Sequence, residues 1–235
     1  MPHTPNPPDD LNAPSRTTAG PSVIHPVPYH SQWASAALVP AIIGREISAA
    51  EDPLWRAYGA DSPETYAWWS WRLCGIACLR MALDHWRDGA EDGGAPTAMA
   101  LAAECLAAGA YVERDDGGLD GLIHAPFADY VRTRWRLPAE AHPDLPADDL
   151  PGHLAAGRLV MLSVHPTIRT LAPEPPQKGG HLVLAVGTTP NHLLIHNPSG
   201  FPDHSQRFHR IPWPDLDRFY AGRGVVLGPR GEAGA

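Results

Sequence analysis

Cysteine is scarce in this chain, three among 235 residues, and Cys74, Cys78 and Cys105 are scattered in a way that suits no disulfide framework. An odd count cannot pair within one chain, so a reducing compartment is expected. Long apolar runs are also missing: none approaches the roughly 18 to 20 residues that cross a bilayer. The opening residues have neither the basic patch nor the apolar segment of a secretory leader, which makes a cytoplasmic location the expectation. Positive charge is thin. Lys and Arg total 18 against 26 acidic residues, a formal charge of −8, and no basic cluster offsets it. That balance excludes general affinity for nucleic acid or for an anionic membrane. The basic residues are nearly all arginine, a bias that fits a GC-rich bacterial genome better than a functional demand. No C-x-x-C pair and no H-E-x-x-H run occurs, so neither a metal nor another cofactor is expected.

What remains is enough for one substantial core, since 43% of the residues are hydrophobic. Residues 1–22 are proline-rich and lack apolar periodicity, which marks them as a flexible tail. Residues 228–235 have the same character, and residues 23–227 form the expected domain. Within it, helical signals come first: Cys74 to Trp86, Thr97 to Ala108, Pro126 to Trp135, Asp149 to Ala156 and Trp213 to Tyr220. Strand signals lie mostly later, at Leu159 to Val164, Leu182 to Val186, Leu193 to Ile195 and Gly224 to Leu227, with Val23 to Tyr29 at most a short edge strand. This is the order of an α+β fold. Between Trp55 and Trp71 the chain is dense in aromatics and punctuated by Pro53, Gly59 and Pro63, as in a short helical or loop excursion. Trp69 and Trp71 fall so close to Cys74 that either is a candidate wall of a pocket beside it.

Cys74 begins an amphipathic helix whose apolar face carries Ile76, Leu79, Leu83 and Trp86. The unpaired amides and partial positive charge of a helix start favour thiolate over thiol. Cys78, one turn later, and Cys105, in an alanine-rich helix, read as packing. A nucleophile needs a base, and His181 stands at the entrance of a buried strand behind Gly179 and Gly180. Among 13 histidines, His165 at a strand end and His196 are the nearest rivals. Asn197 lies just beyond the adjacent strand, where its side-chain oxygen could orient an imidazole. It also reads as a plain turn former before Pro198, and Asp203 is then the nearest substitute acid.

Cysteine, Gly-Gly-His and Asn-Pro, in that order, resemble the papain-like cysteine peptidases, and most closely the peptidase C39-like family, over roughly Val27 to Leu227. The run V-P-Y-H-S-Q-W (Val27 to Trp33) is similar to that family's opening segment. The resemblance implies a helical part packed on a C-terminal antiparallel sheet. It also implies Cys74 as nucleophile, His181 as base, Asn197 as orienting residue and Gln32 as oxyanion donor beside the Cys74 amide. Where the family usually has aspartate this chain has Asn197, as papain has asparagine. The implied activity is hydrolysis of an amide or thioester, with a peptide or acyl group as substrate and no cofactor. Acyl transfer or ligation on the same scaffold, and an inactive peptide-binding module, are the alternatives. Substrate identity and oligomeric state are not legible.

Overall fold

A computed structural model describes residues 21–87 and 96–231. Most of the expected tails, 1–22 and 228–235, lies outside the described residues. In chain order the elements are β1 (Val23–Ile24), α1 (Val39–Ile43), α2 (Pro63–Ser70), α3 (Cys74–His85), α4 (Ala98–Ala107), β2 (Val112–Glu113), β3 (Leu119–Asp120), α5 (His124–Tyr130) and β4 (Ala139–His142). They continue with α6 (Leu150–Ala155), β5 (Leu159–Val164), β6 (His181–Thr188), β7 (His192–His196), β8 (His209–Pro212), α7 (Trp213–Phe219) and β9 (Tyr220–Leu227). The fold mixes helices with a seven-stranded sheet ordered β4-β9-β5-β6-β7-β8, with β1 joining at β6. Every pairing in it is antiparallel.

The uninterrupted apolar run of β6 is explained by cover on both faces. Leu182, Leu184 and Val186 join the core built on α3, α4 and α5. Their alternates Val183 and Ala185 join a second core with Leu154 of α6 and Leu216 and Phe219 of α7. Side chains of a strand point alternately to opposite faces, so one strand feeds two cores. Each fully buried leucine contributes about 1.5–3 kcal/mol, and both cores draw on β5, β6 and β9 in this way. At the far end of β6, β1 crosses Gly187 so closely that a Cβ there would lie 2.6 Å from the Val23 carbonyl oxygen.

The expected helix over Pro126 to Trp135 begins two residues earlier, at His124, and its second half is a π-turn, Val131–Trp135, closed by Arg136 at φ 54°. Four strands have no counterpart in the sequence reading: β2 and β3, which pair only with each other, and two of the large sheet. β4 reads A-E-A-H and β8 reads H-R-I-P. Neither is rich in β-branched or aromatic residues, and each exists because an already formed neighbour offers a free edge to pair with. Among the described residues no helix is long and apolar enough to cross a membrane.

β9 is irregular where it passes β5. Leu162 pairs with Gly224 and Val164 with Tyr220, so one interposed residue on β5, Ser163, faces three on β9: Ala221, Gly222 and Arg223. This is a β-bulge, a device that bends a strand and re-aims its side chains.

Candidate active site

Cys74 is the first residue of α3, directly after Leu73, and its sulfur meets the backbone amides of Leu182, Gly75 and Cys74 itself. Gly75 permits this approach. A Cβ at Gly75 would lie 3.0 Å from both Leu122 Cδ2 and Leu182 Cδ1, and one turn later Cys78 Sγ packs 3.8 Å from the Leu182 carbonyl oxygen. The start of α3 is thereby seated on the start of β6, beside His181. Cys74 and His181 line one cavity of about 520 Å³, together with Gly180, Leu182, Ser163, Arg223 and the 121–125 segment.

The imidazole of His181 is held from behind. Its Nε2 lies 2.9 Å from Asn197 Oδ1 and 3.0 Å from Ser199 Oγ. Asn197 Oδ1 also accepts the Ser199 backbone N–H at 3.0 Å. An amide N–H can only donate, so the Asn197 atom it meets is the oxygen, and His181 Nε2 must carry the ring proton. Nδ1 is left as the basic nitrogen. The register explains the meeting: Leu184 pairs with His196, and continuing that pairing sets Ser199 across from His181. Behind Ser199, Arg169 Nη2 donates to its hydroxyl at 3.0 Å. Tyr29 and Ser31 clamp the same loop by donating to the carbonyls of Asn197 and Pro198.

Cys74 and His181 are both shifted by their surroundings. Burial pushes the Cys74 thiol up, against the three amides, which pull it down. Desolvation thus works against the thiolate that the helix start favours. Burial lowers His181 to about 4, opposed by its bond to Asn197 and assisted by the charge of Arg169. Arg169 is itself pulled down to about 10 by burial, and its Nε has no partner among the described residues.

Of the four site residues named from sequence, the structure gathers three. Gln32 stands apart: it does not line the cavity, and its Nε2 donates to the Ser70 carbonyl at 3.0 Å while Oε1 is buried without a partner among the described residues. Its backbone N–H donates to Pro198, so the segment braces the Asn197 loop. The rival bases are otherwise engaged. His196 bonds the Val27 carbonyl and accepts the Phe208 N–H, and His165 caps a turn through Thr167. The expectation for Trp69 and Trp71 is also corrected. Neither lines the cavity: Trp69 packs on Trp68 and Tyr111, and Trp71 on Trp33.

Sequence reasoning missed Ser199, Arg169, Ser163 and Arg223. Only Ser199 had a local signal, two residues after Asn197 in an N-P-S-G turn. No protein-family model matches this chain, and no curated protein does. Among solved structures, a presumed C39-like peptidase from Bacillus anthracis is similar over 90% of this chain and 99% of its own, with 13% identity and a TM-score of 0.43.

Proposed function

We propose that this chain is a cysteine-dependent hydrolase of the papain-like kind, acting as a peptidase on an amide or thioester. The observation that carries the reading is the shared cavity: a thiol on the first turn of a helix and a histidine whose proton is fixed on Nε2 by Asn197. In this reading Nδ1 of His181 takes the Cys74 proton as sulfur attacks the carbonyl. The S–C bond forms, the C–N bond breaks, and the same proton passes to the leaving amine. Water, deprotonated by His181, then hydrolyses the acyl-enzyme. The amides at the start of α3 supply oxyanion donors, and Gln32, bonded to Ser70 outside the cavity, takes no part in this resting arrangement. The chemistry asks for no metal or organic cofactor and suits a reducing compartment, the cytoplasm.

The test is turnover of a peptide library read by mass spectrometry. Wild type yields cleaved products and a covalent acyl adduct on Cys74, whereas Cys74→Ala yields neither and unfolds at the same denaturant concentration. Products from Cys74→Ala would remove the thiol from the reaction. A second reading, a peptide-binding module without turnover, is favoured by the commitment of Gln32 to Ser70, with burial opposing charge on both Cys74 and His181. Peptides retained by wild type without cleavage would decide for it.

A further inference from the structure

The cavity wall opposite the Asn197 loop belongs to β9 and β5, and it is chemically unlike the rest of the lining. Arg223 is the only residue with a permanent charge among those that line the cavity; no aspartate or glutamate does. Its guanidinium has no salt bridge among the described residues, whereas Arg87, Arg132 and Arg134 each have one and Arg114 and Arg218 two. The β9 bulge sets Arg223 across from Ser163, which takes the place on β5 that an aliphatic residue fills elsewhere along the strand.

Both side chains converge on one point. A Cβ on Gly179 would sit 3.1 Å from Arg223 Nη2 and 3.2 Å from Ser163 Oγ. Gly179 and Gly180 take φ of 90° and 93°, a region that excludes most side chains; Gly179 is packed against both donors, while a Cβ on exposed Gly180, which lines the cavity, would meet nothing within 4 Å. His124, which also lines the cavity, is lowered by burial and by the charge of Arg223 and stands there as a neutral ring.

We infer that this corner is a carboxylate subsite, in which Arg223 and Ser163 bind an acidic group of the substrate next to Cys74. A planar guanidinium matches a carboxylate in two parallel hydrogen bonds, and Ser163 adds a third donor. The carboxylate can come from a glutamate or aspartate side chain or from a peptide C-terminus. The inference rests on the hydrolase reading for the word substrate, but the binding itself does not.

Equilibrium binding to Cys74→Ala, which cannot form an acyl-enzyme, separates the two. The probes are N-acetylglutamate N-methylamide and its glutamine counterpart for a side-chain carboxylate, and N-acetylalanine and its N-methylamide for a terminal one, read by isothermal titration or ligand-observed NMR. Binding of at least one acid is expected to exceed that of its neutral partner by about fivefold, the upper range for a solvent-accessible ion pair, and to weaken with salt. Whichever pair shows the preference identifies the source. The preference should vanish in R223Q and invert in R223E, both at an exposed position outside the core. Equal binding within both pairs, or a preference that R223Q leaves intact, overturns the subsite. An acid preference in a protein whose wild type never cleaves a peptide counts against the hydrolase alone.

Discussion

The two ends of β6 are built from the same strand and do opposite work. From Leu182 to Val186 the side chains are aliphatic, alternate between two cores and are almost fully buried. At His181 the pattern breaks into Asn197, Ser199 and Arg169, a largely buried polar cluster with Asn197 Nδ2 and Arg169 Nε lacking partners among the described residues. Unpartnered buried polar atoms cost stability, on the order of 1–3 kcal/mol each. A strand that holds such a cluster at one end needs the other end to be well packed, and β6 is paired with β5, β7 and β1.

The largest expected effect at the polar end is on rate. His181→Ala should lower kcat/KM by roughly 10²–10⁴, the range for a general acid–base group. Asn197→Ala should cost less, because it orients the ring without moving its proton, and equal losses in the two variants would show that Asn197 does more than orient. At the aliphatic end the effect reverses. Leu184→Ala should lose about 2–5 kcal/mol of stability while leaving the rate of Cys74 alkylation in the folded protein unchanged, and a slowed alkylation would join the two ends that are separated here.

Acid should distinguish the ends more gently. The unfolded His181 titrates near 6.5 and the folded one near 4, so between these values the unfolded chain binds more protons. Stability conferred by the neutral ring is full above pH 6.5 and is lost as pH falls toward 4. His30, His196 and His209, also lowered by burial, add in the same direction. Urea midpoints at pH 7.5, 6 and 5 should therefore fall in turn, and a flat series would mean that these rings are hydrated. The smallest effect is on thiol reactivity. With Cys74 raised by burial, iodoacetamide should react slowly at pH 6 and accelerate above pH 8.5, whereas fast reaction at pH 6 would reveal an ion pair with His181.

The aliphatic end was the readable one. β5 spans Leu159–Val164 as its composition predicts, and α3 begins at Cys74, because uninterrupted apolar runs and helical spacing are local signals. β4 and β8 were not readable, since A-E-A-H and H-R-I-P become strands only by pairing with β9 and β7. At the polar end Cys74, His181 and Asn197 were legible from residue type and order. Gln32 was legible as a segment, yet its bond to Ser70 depends on how the turn after α2 closes. Arg169 and Arg223 look like any surface arginine in one dimension. Only a turn between strands and a bulge in β9 bring them to the cluster.

The bulge at Ala221–Arg223 has one more consequence. Its extra residues stand outside the ladder, so their side chains are released from the in-and-out alternation that binds every other position of β9. Exchanging Arg223, which is exposed, asks nothing of the strand order or of either core, whereas Gly222 is held by a φ of 66°. Selectivity at the rim of the cavity can therefore drift, or be engineered, one residue at a time on a frame that does not have to change with it.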